Sequence, residues 1–497
     1  MACYRLQSAY LPQGWTRDPL VTVSAEGIIT AIDSSATDSS TTDFRATNAG
    51  ATDASATDAS ATDPSATNVS KGIPAAPIER IEGIVIPGMP NAHSHAFQRA
   101  MAGNAEYRLS SRDSFWTWRQ AMYALANRIR PEQLELVATQ LFVEMLKAGY
   151  TSVAEFHYLH RPSSGTPYAG ANPLWEAIGN AAAAAGIGLT FLPTLYQSSD
   201  FGGAALKPEQ ARFALDTDTF LRAIAERIGA ERRGGGSTRR TGAAFHSLRA
   251  VPLDQLRQAA LALRAIDSNM PVHIHVAEQS LEVSACKRAT GRRPIELLLD
   301  QELLTQHWCV VHATHATAAE LQGIATAGAT VCVSISTEAN LGDGFFDTAR
   351  FFKSAGRLCV GSDSQSTVNP AEELRWLEYQ QRLRKKRRVV LATARESHVG
   401  TRLWSDAALC GALAIGQPVG TIAVGSRADW LVLNGSHAAL AGAAADTALD
   451  RLLFAGADKA IRDVMVGGHW VIKNHQHAAD DKLRMNFPSV MKDLAAG

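Results

Sequence analysis

The chain has 497 residues, of which 46% are hydrophobic and 19% are charged, a composition typical of globular proteins. Its 48 Lys and Arg residues balance its 48 Asp and Glu residues, so no net charge attracts nucleic acid or an anionic membrane. No stretch approaches about 18 uncharged apolar residues, and the N-terminus lacks a basic segment followed by an apolar one. We therefore expect neither a membrane span nor a secretory signal.

The first 88 residues predict strands that are interrupted by an insertion. Residues 1–34 and 71–88 contain strand-like runs, whereas residues 35–70 repeat Thr-Asp or Thr-Asn pairs every five residues. Because this repeat has almost no large apolar side chains, it cannot bury enough surface to offset the entropy of ordering. We interpret residues 1–34 and 71–88 as the N-terminal part of a small β-sandwich, and residues 35–70 as a low-complexity disordered insertion.

Residues 89–415 alternate between apolar strand-like runs and helical patterns such as "RPEQLELVATQLFVEMLKAG" and "NPAEELRWLEYQQRLRKK". The predicted strands are 151–156, 188–193, 242–247, 272–277, 308–313, 330–334 and 358–362, and the apolar run around Ile84 brings their number to eight. Eight βα units predict an α/β fold, a (β/α)₈ barrel of the TIM type. Residues 416–497 are strand-rich again, which predicts the C-terminal part of the β-sandwich and a tail.

Histidines and acids collect at the ends of these strands, where such a barrel has its active site. "PNAHSH", "PVHIHVAEQ", "CVVHATH" and "LCVGSDSQ" supply His93, His95, His273, His275, Glu278, His312, His315 and Asp363. One such histidine alone is more often a hydrogen-bonded structural residue, but four strand ends together favour a metal site. Two histidines in His-x-His share one face of a strand, and imidazole suits zinc. We choose His93, His95, His275 and Asp363 as ligands.

Cysteine ligation is disfavoured because the six cysteines are scattered. They are Cys3, Cys286, Cys309, Cys332, Cys359 and Cys410. None forms a Cys-x-x-Cys pair, and three lie in apolar runs where a thiol behaves as a small hydrophobe. We expect reduced thiols in a cytoplasmic protein.

Several long motifs resemble the amidohydrolase superfamily. "PGMPNAHSHAFQRAMAG", "HIHVAE", "HATH" and "GSD" are similar to its barrel motifs, and "GTIAVGSRADWLVL" is similar to its C-terminal sandwich. "DSFWTWRQAMY", "EMLKAGYTSVAEFHYLH", "FHSLRAV", "STEANLGDG" and "EELRWLEYQQRLR" resemble, within the superfamily, the N-formimidoyl-L-glutamate deiminases of bacterial histidine degradation. The resemblance covers nearly the whole chain except residues 35–70.

This resemblance implies one zinc ion per subunit, held by His93, His95, His275 and Asp363. Two-metal relatives carry a bridging lysine at the end of the fourth strand, and "TSVAEFHY", which we assign to that position, has none. The resemblance also makes Glu278 and His312 catalytic. It assigns Gln98, Arg119, Tyr158, His246 and Arg249 to the substrate.

The implied reaction is hydrolysis of the formimino C–N bond, which gives N-formyl-L-glutamate and ammonia. The substrate is a dicarboxylate, and the planar fork of arginine suits a carboxylate, so Arg119 and Arg249 are candidate clamps. We expect Asp363 to take a proton from the attacking water, His312 to hydrogen-bond the nucleophile or the intermediate, and Glu278 to protonate nitrogen. General acid–base groups of this kind contribute about 10²- to 10⁴-fold.

Other interpretations remain open at this point. A deaminase of a purine, pterin or nucleoside base would use the same metal scaffold, and a catalytically inactive structural relative would keep only the fold. We expect structural or supporting roles for His157, His160, His273 and His315, and a solvated face for the basic run at 382–388. We expect no nucleic-acid partner, and we guess a homodimer because two-fold dimers are common.

Overall fold

The computed structural model describes residues 1–34, 77–106, 115–234 and 236–495. The predicted insertion at 35–70 lies outside these residues. The strands of the described chain are β1 (Ala2–Leu11), β2 (Gly14–Arg17), β3 (Leu20–Val23), β4 (Ile29–Asp33), β5 (Ile78–Pro87), β6 (Met89–Ser94), β7 (Tyr150–His157), β8 (Gly188–Leu195), β9 (Arg239–Thr241), β10 (Ala243–Phe245), β11 (Val272–Val276), β12 (Trp308–His312), β13 (Thr330–Val333), β14 (Arg357–Val360), β15 (Trp430–Leu433), β16 (Ile461–Val466) and β17 (His469–Ile472).

The helices connect and cover these strands. They are α1 (Phe115–Arg128), α2 (Pro131–Ala148), α3 (Pro173–Ala185), α4 (Thr217–Gly234), α5 (Leu253–Ile266), α6 (Ser280–Thr290), α7 (Pro294–Asp300), α8 (Ala318–Ala327), α9 (Ile335–Leu341), α10 (Thr348–Lys353), α11 (Pro370–Lys385), α12 (Val399–Ile415), α13 (Ala448–Phe454) and α14 (Asp480–Ala495). Short 3₁₀ helices span Ala96–Met101, Pro208–Phe213, Ala445–Thr447 and Ala457–Ala460. None of the helices in the described residues is long and apolar enough to cross a membrane.

Helix α2 shows how the sequence sets these boundaries. Pro131 occupies the first turn, where its missing N–H costs nothing. Gly149 ends the helix in the left-handed conformation, with φ at 108°, and its N–H donates to the carbonyl of Leu146 at 3.1 Å. Strand β7 begins at the next residue, so the helix end fixes where the strand enters the barrel.

The strands from β6 to β14 form a parallel barrel, which confirms the predicted fold class. The order is β6–β7–β8–β10–β11–β12–β13–β14. The short strands β9 and β10 pair one after the other with the same edge of β8. The barrel closes between β14 and β6, because the N–H groups of Ser362 and Asp363 both donate to the carbonyl of His93 at 3.0 Å. Gly361 permits this approach, since a Cβ atom there would lie 2.7 Å from the Cβ of His93.

The two ends of the described chain form a second sheet of eight strands in the order β17–β16–β15–β5–β1–β3–β4, with β2 paired to β1. The predicted sandwich is therefore one connected sheet, which packs around its own apolar core of residues such as Tyr4, Leu6, Val85 and Trp430.

The assignment of the run around Ile84 to the barrel is wrong. Strand β5 pairs with β1 and β15 in the second sheet, and the first barrel strand is β6. The chain passes from one sheet to the other at Gly88, where a Cβ atom would lie 2.3 Å from the side chain of Thr151. The Pro-Gly pair therefore marks the crossing between the two sheets, and His93 lies within β6.

Candidate active site

Three histidines and an aspartate meet where β6, β11 and β14 end. His93 Nε2 lies 2.9 Å from His275 Nε2 and 3.5 Å from Asp363 Oδ1, and His95 Nε2 lies 3.3 Å from the same oxygen. All four residues are buried, with at most 9% of their surface exposed. The structure thus brings together the four residues that the sequence suggested as ligands.

Backbone carbonyls fix the orientation of two of these rings. His95 Nδ1 lies 2.9 Å from the carbonyl of Phe156, and His275 Nδ1 lies 3.0 Å from the carbonyl of His246. A carbonyl oxygen only accepts, so each Nδ1 carries the proton and each Nε2 presents its lone pair. Burial, together with repulsion from His93, lowers the pKa of His95 to about 3. Neutral imidazoles held by an outer partner are the usual form of metal-binding histidine.

This donor set fits a metal ion. His93 Nε2 lies 2.9 Å from the lone pair of His275 Nε2, a contact that needs either a proton on His93 Nε2 or a cation between the rings, and the Asp363 carboxylate beside them adds the negative charge that a divalent ion requires. Among the described residues, His93 Nδ1 has no hydrogen-bond partner although it is fully buried. Three imidazoles and one carboxylate suit zinc and other first-row transition metals.

His312 lies beside the cluster within a group of acids. Its Nε2 is 3.7 Å from both Glu278 Oε1 and Asp363 Oδ2, and its Nδ1 is 3.4 Å from Glu338 Oε1. Burial alone would lower the pKa of His312, but Glu278, Glu338 and Asp363 raise it to about 10. Burial raises the pKa of Glu278 to about 7, while His312 opposes the shift and Asp363 adds to it. A carboxyl group with this pKa gives or takes a proton near neutrality.

The predicted polar substrate residues surround the next part of the pocket. Gln98 Nε2 donates to the hydroxyl of Tyr158 at 2.9 Å, and both side chains are buried. Among the described residues, Gln98 Oε1 has no partner, so it remains available as an acceptor. The ring of His246 packs against Tyr158 and Tyr196, with centroids 5.4 and 4.6 Å away.

Two arginines define the far end of the pocket. The guanidinium carbon of Arg119, on α1, lies 4.3 Å from the centroid of the Trp116 ring, and that of Arg249 lies 5.8 Å from it. In the described part of the chain, neither guanidinium forms a salt bridge, although the charge of Arg249 opposes the rise that burial causes in the pKa of Glu282 and Glu278. Burial and the like charge of Arg249 lower the pKa of Arg119, and Tyr123 opposes this shift only in part. Two half-buried like charges stabilise an anion between them.

One cavity connects the metal-binding cluster to the arginines and has a volume of about 710 Å³ including its mouth. Its walls carry aromatic rings from Phe115, Trp118, Tyr123, Tyr196 and Phe213. Of the predicted site residues, only His93 does not line it, because His93 lies behind the cluster at 0% exposure. The arrangement presents a cation-binding end, a proton-transfer group and an anion-binding end in one space.

Sequence reasoning did not identify three buried acids that support this site. Glu338 faces His312 Nδ1, Glu155 bonds on both sides of His95, and Glu282 accepts the N–H groups of Ala277 and Glu278 at 3.1 and 3.0 Å. The only signal was an isolated acid in or beside an apolar run, as in "TSVAEF" and "SISTEANLG". A lone acid in such a run is rarely buried unless it is paired.

The four remaining histidines lie outside the ligand cluster. His157 Nε2, His160 Nε2 and His273 Nε2 each contact a backbone carbonyl at 2.8 Å, from Leu159, Thr194 and Ala414 respectively. His315 is only partly buried, and its backbone N–H donates to the carbonyl of Ala277. These contacts tie loops and a helix end to the barrel.

The sequence argument for a single metal used the wrong strand. "TSVAEFHY" contains β7, the second strand of the barrel, whereas the fourth consists of β9 and β10 and is followed by His246. The segment "AAFHSLR" at the true position also contains no lysine. The lysine is therefore absent from the correct strand end as well.

Known proteins resemble this chain along its whole length. Residues 84–471 match the family model described as "Amidohydrolase family". A formimidoylglutamate deiminase of Pseudomonas aeruginosa is 44% identical over 494 residues, which are 99% of this chain and 100% of that protein. An 8-oxoguanine deaminase of the same organism is 28% identical over 78% of this chain and 82% of its own length.

A solved structure agrees with these matches. The crystal structure of an amidohydrolase from Brucella melitensis superposes with a TM-score of 0.85 and 37% sequence identity, and the match covers 100% of both chains. The family model spans more than half of the chain, and two of these relatives are more than 30% identical over nearly its whole length. These matches agree with the closed parallel barrel and its cluster of histidines. The chain belongs to the amidohydrolase family.

Proposed function

We propose that the chain is a zinc-dependent formimidoylglutamate deiminase, which converts N-formimidoyl-L-glutamate and water to N-formyl-L-glutamate and ammonia in histidine degradation in the cytoplasm. The full-length relative with 44% identity supports this reaction. The observation that carries the proposal is the single cavity with the ligand cluster at one end and Arg119 and Arg249 at the other. A substrate with one reactive amidine and two carboxylates matches both ends.

His93, His95, His275 and Asp363 would hold the metal ion. When bound, zinc lowers the pKa of water and polarises the bond under attack. Oδ1 of Asp363 faces the histidines, whereas Oδ2 faces His312, so Oδ2 is the oxygen that takes a proton from the attacking water. His312 Nε2, held from behind by Glu338, donates to the oxygen on which negative charge develops.

Glu278 completes the proton transfer in this proposal. Its carboxyl group lines the cavity and has a pKa of about 7, so it protonates the departing nitrogen and accepts a proton again before the next cycle. Glu282 holds the backbone of Glu278 in place through two hydrogen bonds. The proton that Asp363 took from water then passes to the same nitrogen, and the hydroxyl of the tetrahedral carbon returns a proton to Glu278. The C–N bond breaks as the carbonyl of N-formyl-L-glutamate forms, and nitrogen leaves as ammonia.

Arg119 and Arg249 bind the two carboxylates of glutamate. Each guanidinium presents a planar fork of donors at the cavity wall, and in the described residues neither forms a salt bridge, so both forks are available to the carboxylates of the substrate. Gln98, Tyr158 and His246 lie between the two ends and orient the formimino group.

A deaminase of a purine, pterin or nucleoside base is the second candidate. The 28% identical 8-oxoguanine deaminase and the six Phe, Tyr and Trp rings of the cavity wall favour it. The arginine pair argues against a neutral base, because such a base offers no carboxylate to either guanidinium fork. A homodimer remains a prediction.

The test is NMR of the zinc-loaded protein with N-formimidoyl-L-glutamate, with ammonia assayed in parallel. Ammonia and N-formylglutamate would support the deiminase. Glutamate and formamide would mean that the other C–N bond is cut. Absence of turnover with zinc bound, but turnover of a purine or pterin from a panel, would replace the deiminase by the second candidate. A chelated sample restored by zinc is the control for metal dependence.

A further inference from the structure

Glu155, a buried acid outside the ligand set, bonds to the residues on both sides of His95, to the side chain of Ser94 and the backbone of Ala96. It lies within β7 and is 1% exposed. Oε1 accepts the backbone N–H of Ala96 at 2.7 Å, and Oε2 accepts the hydroxyl of Ser94 at 2.8 Å. Because the two donors flank His95 in the chain, one carboxylate sets the direction in which the His95 side chain leaves the strand.

The same carboxylate is connected to Asp363 through two polar side chains. Ser94 Oγ accepts a hydrogen bond from Gln365 Nε2 at 3.0 Å, and that nitrogen also donates to the carbonyl of Asp363 at 2.6 Å. The N–H of His95 donates to the same carbonyl at 3.2 Å. A continuous chain of hydrogen bonds therefore runs from β7, through the end of β6, to the segment that closes the barrel.

We propose that Glu155 is a positioning residue that sets the placement of His95 and Asp363 for metal binding, an inference that rests on the metal site of the proposed function. Glu155 does not line the cavity, so it acts through the Ser94 hydroxyl and the Ala96 N–H and not on the substrate. Both of its oxygens are used by donors next to His95. Loss of outer partners of metal ligands typically costs about 10- to 100-fold in metal affinity.

Two variants separate positioning from a direct chemical role. Glu155→Leu removes both acceptors and leaves the Ala96 N–H and the Ser94 hydroxyl without a partner. Glu155→Gln keeps one acceptor oxygen for Ala96 and offers an N–H to Ser94 Oγ. We expect the zinc dissociation constant of the full chain, measured by competition with a chromophoric chelator, to rise about 10- to 100-fold in the first variant and only about threefold in the second.

Glu378 provides a matched control. It lies on α11, is 0% exposed and does not line the cavity, and its carboxylate accepts the backbone N–H groups of Val390 and Leu391 at 2.8 and 2.9 Å and the Arg382 Nε–H at 2.7 Å. Because Glu378→Leu also breaks this ion pair, it should lower the melting temperature of the metal-free chain at least as much as Glu155→Leu, but it should leave the zinc dissociation constant unchanged. Should Glu155→Leu not fold, Ser94→Ala cuts the link to Gln365 and should still weaken zinc binding about 10-fold.

The outcomes distinguish the failure of each proposal. Wild-type zinc affinity in both Glu155→Leu and Ser94→Ala, or an equal loss in Glu378→Leu, would overturn the positioning role. A loss in Glu155→Gln as large as in Glu155→Leu would also overturn it, since the charge and not the hydrogen-bond pattern would then matter. A wild-type chain that binds zinc but does not deiminate leaves the positioning role intact and rejects only the substrate. A wild-type chain that binds no zinc rejects the metal site itself.

Discussion

The two ends of the cavity differ in burial and in the interactions that hold their side chains. At the metal-binding end, every predicted ligand lies in or directly after a barrel strand, is buried, and has neighbours that fix its orientation. At the far end, Arg119 and Arg249 are only partly buried, lie on a helix and a loop, and contact an aromatic ring. In the described residues their charges have no carboxylate partner.

This difference means that the metal-binding end depends on the positions of its side chains, whereas the far end depends on the positive charge of its two arginines. The first end is organised before any ligand arrives, because the closure of the barrel between β14 and β6 also brings Asp363 beside His93 and His95. At the second end, two guanidinium groups line the cavity without a salt bridge in the described residues, so they are available to the carboxylates of a ligand. Changes at the first end should therefore abolish metal binding or turnover, whereas changes at the second end should weaken substrate binding.

The largest effect is expected for His93→Ala. It removes a buried ligand at the centre of the cluster, so bound zinc and deiminase activity should both fall by more than about 100-fold, beyond the loss from changing an outer partner. Elemental analysis and the ammonia assay measure the two quantities. His160→Ala is the matched control, since His160 is also buried but its side chain hydrogen-bonds to the carbonyl of Thr194 and the Trp175 indole, away from the ligand cluster. Full zinc occupancy in His93→Ala would remove His93 from the ligand set.

Glu278→Gln should separate turnover from metal binding within the same end. The amide keeps the shape of the side chain but does not deliver a proton, so we expect kcat to fall about 10²- to 10⁴-fold. The zinc content should stay at the wild-type level, because Glu278 is not among the proposed ligands. Glu320→Gln, a buried acid that caps α8 outside the cavity, should keep wild-type kcat. Near-full turnover in Glu278→Gln would contradict its role as the acid.

Lysine replacements should show that the far end binds charge through its geometry. Arg249→Lys and Arg119→Lys keep the positive charge but lose the planar fork, so each should raise KM about 10- to 100-fold, the equivalent of one charged hydrogen bond. Zinc content should not change. Arg227→Lys is the control, because Arg227 also packs on an aromatic ring, Phe191, but lies outside this cavity.

Substrate analogues sharpen the same prediction. One analogue carries an amide in place of the side-chain carboxylate, and the other carries an amide in place of the α-carboxylate. The lysine variant at the arginine that binds the replaced carboxylate should bind that analogue no more weakly than the wild type does. The two analogues would thus assign each carboxylate to one arginine. Equal losses in both variants with both analogues would mean that the arginines shape the cavity and do not bind carboxylates individually.

Much of the metal-binding end could be predicted because its signals are local in the sequence. His-x-His at a strand end and an aspartate after an apolar run each indicate a side chain at the open face of the barrel. The assignment of the strand at Ile84 failed for a physical reason. A central strand of the second sheet and a strand of a parallel barrel are both buried on two faces, so both appear as the same continuous apolar run.

The supporting acids depend on contacts that no local pattern reports. Glu155 bonds to Ser94 only because β6 and β7 are neighbours in register, and Glu338 reaches His312 only because α9 begins beside the end of β12. The three cysteines of apolar runs show the same limit. Cys309, Cys332 and Cys359 are widely separated in sequence, yet their sulfur atoms lie within 4.8 Å of one another because β12, β13 and β14 are adjacent.

The smallest effect is expected for Trp116→Leu, which tests whether the ring between the arginines holds them apart. Leucine fills part of the space but lacks the electron-rich face that the Arg119 guanidinium contacts at 4.3 Å. A cation–π contact contributes about 0.5–2 kcal/mol, so KM should rise roughly 2- to 30-fold while kcat and zinc content remain unchanged. Trp116→Phe should restore most of the affinity, because it returns an aromatic face. An unchanged KM in the leucine variant would mean that the arginines hold their positions without this ring, and that the far end is as fully organised in advance as the metal-binding end.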